Sequence, residues 1–152
     1  MSQPTFRLAT VLAYRESLLA LAVQGLARVE VAAHTVAQAL TQLVQEQRAL
    51  LGASTSEQER TAADLWLLVD YLNLLEQREH SLRTELAQLQ EQLARARELV
   101  LERHRAVDVL NRLKERQLIL ARQELARQEQ RLIDEMTGTR AFQYPINQEG
   151  VS

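Results

Sequence analysis

Residues 82–110 read LRTELAQLQEQLARARELVLERHRAVDVL. Within them Leu82, Leu86, Leu89, Leu93, Ala96, Val100, Arg103, Val107 and Leu110 recur at alternating spacings of four and three, the heptad period of a helix that buries one narrow seam. The same frame extends back through Glu79, Leu75, Leu72 and Leu68 to Leu65, so that 12 of its 14 positions are apolar. A second repeat in its own register runs Leu8, Leu12, Arg15, Leu19, Ala22, Leu26, Val29, Ala33, Val36, Leu40, Leu43, Gln47 and Leu50, apolar at 11 of 13. An apolar fraction of 46% would fill only about 12 of these 27 positions by chance. Two long helices, each with a coiled-coil seam, are predicted.

Composition points the same way. The 152 residues hold 4 Gly, 2 Pro and 6 aromatic residues, and the two prolines, Pro4 and Pro145, leave 140 proline-free residues between them. Strand-rich and loop-rich folds draw heavily on Gly and Pro, so the class is all-α. Gly52-Ala-Ser-Thr-Ser-Glu57 separates the two repeats and reads as a helix end followed by a loop. Thr61 or Ser56 is placed to cap the next helix, with Asp64 near its positive N-terminus. The expectation is an antiparallel two-helix coiled-coil hairpin with a longer second helix: helix one over about 5–51, a turn over about 52–61, helix two over about 62–136, and a flexible tail over 137–152. The paired rod would be roughly 65–70 Å long at helical rise.

Pairing Leu50 with the region of Leu65 sets Phe6 and Leu8 opposite Val107 and Leu110. The second helix then overhangs the first by about 26 residues, roughly 40 Å. Past Leu110 the seam spacing breaks, leaving Leu113, Leu118, Ile119, Leu120, Leu125, Leu132 and Ile133 among Arg, Gln and Glu. This overhang is either a docking element or a plain solvated helix. Residues 95–131 carry ten basic and six acidic side chains, which favours an acidic partner surface. Near the turn, Leu65–Leu75 reads LWLLVDYLNLL. One seam cannot bury all of its apolar residues, so Trp66, Leu67, Val69, Tyr71 and Leu74 form an apolar collar. Either residues 53–64 fold over it, or a partner protein covers it with Trp66 and Tyr71 as anchors. Leu21 and Val31 project outward from the first helix.

Several function classes are disfavoured. Eighteen basic against 20 acidic residues give a net charge of −2, without the positive excess that a nucleic-acid backbone attracts. No cysteine is present, which removes thiolate nucleophiles and Cys-ligated metals and suits a reducing compartment, the cytoplasm by default. His34, His80 and His104 lack ligand spacing, so no metal is expected; the absence of a Gly-rich phosphate loop or paired acids in a pocket predicts no cofactor and no enzyme. The uncharged run Ser17–Ala27, 11 residues long, is too short to span a bilayer and lies inside the helical repeat.

Three stretches carry a likeness. Phe6-Arg-Leu-Ala-Thr-Val-Leu-Ala-Tyr-Arg-Glu16, Leu110-Asn-Arg-Leu-Lys-Glu-Arg116 and Leu132-Ile-Asp-Glu-Met136 resemble the flagellar export proteins of the FliJ family, over about residues 6–136. The resemblance implies a non-enzymatic coiled-coil hairpin serving as the central stalk of the flagellar type III export ATPase hexamer. It also implies contacts with the membrane-embedded export gate and with export chaperones, and a location in the cytoplasm, peripheral to the membrane at the flagellar base. On this reading Phe6, Arg7, Leu113, Lys114, Arg116, Leu118, Leu120 and Leu125 face the ATPase ring, and Trp66, Tyr71, Leu74 and Leu75, near the turn, face the gate. The first helix departs from the family in having only seven charged residues between Thr5 and Leu51. Rival readings are the equivalent stalk of a virulence injectisome, a coiled-coil holdase chaperone, and a lipid-surface protein using the apolar first helix.

Overall fold

The structure, a computed structural model, describes residues 6–56 and 61–143. It consists of two helices that pack against each other, α1 (Ala9–Ser56, 48 residues) and α2 (Ala62–Gln143, 82 residues). Among the described residues only 6–8 and Thr61 lie outside them. The all-α helical hairpin expected from the two repeats is the observed fold.

Each helix begins where local chemistry favours it. The Ala9 N–H donates to the Phe6 carbonyl at 3.1 Å and the Leu12 N–H to the Leu8 carbonyl at 2.8 Å, winding the chain into α1. At α2, Thr61 Oγ1 accepts from the Asp64 N–H at 3.3 Å while Asp64 Oδ2 accepts from the Thr61 N–H at 3.4 Å. This is a reciprocal capping box, so Thr61 is the cap. Ser56, the alternative, belongs to the last turn of α1.

The helix ends differ from expectation. α1 runs through Gly52 to Ser56, and α2 runs through Gly138 to Gln143. Among the described residues no glycine has positive φ, so neither forms a left-handed C-cap. A glycine inside a helix costs only about 1 kcal/mol relative to alanine. Flanking helix-favouring residues and the i→i−4 ladder offset that easily. The centre of the turn, 57–60, and the rest of the expected tail, 144–152, lie outside the described residues.

Contacts divide the chain into two compact units: residues 1–14 with 106–152, and residues 15–105. The second unit is a helical hairpin whose core cluster is Val36, Leu43, Leu75 and Leu82, with Ala39, Leu40, Leu50, Leu86 and Leu89 packed against it. Its register is marked by the Tyr71 hydroxyl donating to Glu46 Oε1 at 2.6 Å. Counting antiparallel from that pair sets Leu50 level with residues 67–68 rather than with Leu65. The expected register therefore slips by two to three residues, and Leu65 is 49% exposed. In the first unit Leu12 and Val107 are buried and Phe6, Leu110, Gln117 and Ala121 half-buried.

Of the 27 seam positions only Leu8 and Leu65, the first of each repeat, are exposed. From Leu68 to Arg105, every residue that is not exposed is a seam residue. The seam is one layer thick, so even Leu82, the most buried side chain among the described residues, keeps 4% of its surface. Glu79, the acidic seam residue, is held by an ion pair with Arg83 one turn on. Its side chain is 17% exposed, and the pairing offsets the cost of placing a carboxylate there.

Candidate docking surfaces

From Asn111 to Arg140 α2 is exposed apart from Gln117 and Ala121. Those two are half-buried because Phe6, just ahead of α1, seats beside them: Phe6, Lys114, Gln117, Leu118, Ala121, Arg122 and Leu125 line one groove. Phe6 therefore reaches beyond Val107 and Leu110, where the sequence register had set it. Among the residues expected at the ATPase end, the structure brings Phe6, Lys114, Leu118 and Leu125 together. Leu113, Arg116 and Leu120 follow one another at spacings of three and four, and so occupy a different face of α2. Leu113 is 42% exposed and Leu120 64%. Arg7 is exposed ahead of α1.

The same face of α2 continues past the groove through Leu132 and Met136, which are 59% and 61% exposed. The sequence reading took the seam to break at Leu110. In the sequence a step of four, Lys114 to Leu118, leads to Leu118, Ala121, Leu125, Gln128, Leu132 and Glu135, which resume the alternation, while the two half-buried positions, Gln117 and Ala121, continue the original frame. An inserted step of this kind is a stutter. It was legible in the spacing, and it adds Ala121, Leu132 and Met136 to the surface. Only half of the basic excess noted over 95–131 belongs to this unit. Residues 106–131 hold six basic and four acidic side chains and residues 95–105, in the other unit, four and two; Asp134, Glu135 and Arg140 then bring 106–140 to seven basic and six acidic.

Near the turn, Leu65, Trp66, Leu67, Val69 and Leu74 are all exposed, Trp66 and Leu67 most of all at 71% and 72%. Of the segment 53–64, one of the two coverings considered, residues 53–56 are the last turn of α1 and 61–64 the cap and first turn of α2, while 57–60 lie outside the described residues. Leu67, Tyr71 and Leu74 share a face, and a shallow, mainly apolar groove is lined by Asp64, Leu67, Leu68 and Tyr71. Trp66, five residues from Tyr71, lies on another face. Leu75 is a correction: it is 7% exposed and part of the core cluster, so it supports the surface from beneath rather than forming it. Tyr71 is also partly committed, its hydroxyl tied to Glu46. That hydrogen bond, then desolvation, then the Glu46 charge hold the Tyr71 phenol above its ordinary pKa.

His34, His80 and His104 stand on exposed positions. Among the described residues no group of His, Asp or Glu is arranged to hold a metal, and no helix is long and apolar enough to cross a membrane.

A family model described as "Flagellar FliJ protein" matches residues 4–144. No curated protein and no solved structure matches the chain. The match covers both helices and both surfaces, and it agrees with the three stretches that carried the likeness. The chain belongs to the flagellar FliJ protein family and is a component of the flagellar export apparatus.

Proposed function

We propose that the chain is the non-enzymatic central stalk and adaptor of the export machinery, its first unit docking in the export ATPase hexamer and its collar meeting the export gate. The observation that carries this is the unpaired apolar face of α2 beside Phe6, where Leu118 is 38% and Leu125 45% exposed with no second helix laid over them. An exposed face of this kind is stabilised by a partner, because each leucine covered removes further apolar area from water. A single asymmetric helix inside a symmetric ring touches the six subunits unequally. It thereby biases ring assembly or the hydrolysis cycle without performing chemistry itself. The gate-facing surface is Leu67, Tyr71 and Leu74 with Trp66 on the neighbouring face, and export chaperones take exposed apolar residues of the same hairpin. These partners place the protein in the cytoplasm at the membrane face of the flagellar base.

The test measures ATP hydrolysis by the cognate hexamer with the full chain and with Leu118→Ala/Leu125→Ala. Losing two exposed apolar anchors should raise the half-maximal stimulating concentration about tenfold or more. A chain ending at Leu110 should not stimulate at all. Equal stimulation by all three overturns the docking surface.

A further inference from the structure

Two grooves on the free face of α2 share one geometry. The first is lined by Leu118, Ala121, Arg122 and Leu125 with Phe6 at its edge. The second is lined by Leu132, Glu135, Met136 and Thr139, with Arg140 beside them. In coiled-coil packing a side chain from a facing helix enters a hole made by four residues, spaced as 118, 121, 122 and 125 are. The set 132, 135, 136 and 139 repeats that spacing two heptads further on, about 21 Å along the helix.

The flanking charges say what fits. Arg122 and Glu129 lie on one flank of this face, Glu124 and Arg131 on the other. Where two copies of one helix pack antiparallel, like flanks meet: Arg122 faces Glu129 of the second copy and Glu124 faces its Arg131, each pair occurring twice by symmetry. A parallel arrangement would instead bring Glu124 against Glu129 of the second copy, two carboxylates at each contact. Arg122 and Glu129 also have no oppositely charged residue three or four positions away in α2, so their own helix offers them no partner. The hydrogen-bonded pair Gln130–Asp134, 3.0 Å, lies on the opposite side of the helix and leaves this face clear.

We propose that a second copy of this chain packs antiparallel on this face, Leu132 of each copy filling the groove at Ala121 of the other and Leu118 filling the groove at Glu135. The overlap from Leu118 to Met136 spans about 27 Å of helix. That is a small interface, and dissociation falls at roughly 10–100 μM. The dimer covers Leu118 and Leu125, which the stalk reading assigns to the ATPase ring, so self-association and ring docking exclude each other. The inference deepens that reading, yet its test weighs the chain alone, without the ATPase, so either can fail while the other stands.

Sedimentation equilibrium of the full chain over a concentration series should show the mass rising from 17.4 kDa toward twice that value. Arg122→Glu and Glu129→Arg each turn two attractions into two repulsions, and each should weaken the dimer about tenfold or more. The double variant Arg122→Glu/Glu129→Arg restores complementarity and should recover the wild-type constant. Both positions are exposed, so the variants keep their helicity. A monomer mass at every concentration overturns the proposal. So does a dimer indifferent to the single reversals, or one weakened by them that the double variant does not recover.

Discussion

Leu75 and Leu67 lie two turns apart on α2, and the structure gives them opposite roles. Leu75 is 7% exposed within the core cluster; Leu67 is 72% exposed on the collar. Leu75→Ala removes about three methylene equivalents, worth roughly 2.4 kcal/mol of transfer at about 0.8 kcal/mol each. A cavity adds to that in a thick core, but a seam one layer deep can close from its open flanks. The expected cost is therefore about 2.5 kcal/mol, near the bottom of the usual range of about 2–5 kcal/mol for burying-site leucine truncations. Leu67→Ala should change stability by less than about 0.5 kcal/mol. Urea unfolding followed by helical circular dichroism measures both. Binding to the cytoplasmic part of the export gate, titrated at a temperature where both variants are folded, should then fall for Leu67→Ala and hold for Leu75→Ala. A loss under about 1 kcal/mol at Leu75 contradicts its burial. Equal destabilisation by the two variants means that the collar is covered within the chain, and the gate surface falls with it.

Three further outcomes follow from named atoms. Gly25→Ala should raise stability by about 1 kcal/mol, since a Cβ at Gly25 meets nothing within 4 Å, and a loss in urea unfolding would place an unseen neighbour there. Thr61→Ala removes the acceptor for the Asp64 N–H and should cost about 1 kcal/mol, while Thr61→Ser retains it; indistinguishable unfolding curves would refute the capping box. Glu46→Gln should lower the Tyr71 pKa toward the ordinary 10.0, read from tyrosinate absorbance in a Tyr14→Phe/Tyr144→Phe background. Because the folded-state value is raised, the stability this tie contributes is fully present below the unfolded tyrosine pKa and is lost as pH climbs through the folded one. An unshifted titration would show that Glu46 does not hold the hydroxyl.

The seam was readable because a heptad repeat is a long-range signal: each of its 27 positions is an independent test of one geometric rule, and 25 are shielded. Helix ends were not, because a glycine reports only its own permissiveness. Gly52 and Gly138 sit in helices that the neighbouring hydrogen bonds carry onward. The collar was visible in LWLLVDYLNLL as too many apolar residues for one seam. Leu75 was set at the gate by the family resemblance alone, and the repeat already placed it in the seam, where a side chain does not also face outward. Register is harder to read than either, because a slip of two to three residues keeps leucine near leucine in both helices. It took the Tyr71–Glu46 pair to fix it.

The stretch of α2 past its mate also explains how one helix can present faces to a partner. Sixteen of the 19 residues from Leu118 to Met136 are Leu, Ala, Arg, Gln, Glu or Met, the strongest helix formers, and only Ile119, Ile133 and Asp134 are not. Local propensity therefore supports the backbone where tertiary packing is thin, and propagation from the seam at Val107 and Leu110 spares this segment the nucleation cost that an isolated peptide of its length would bear. A partner meets side chains already spaced on a formed helix and so recovers little less than the full gain of covering them. A disordered extension of the same composition would first spend about 1–2 kcal/mol of backbone entropy per residue ordered. Binding to such a surface is governed by which leucines are covered and which charges meet, and those are the terms on which the ring and a second copy compete for Leu118 and Leu125.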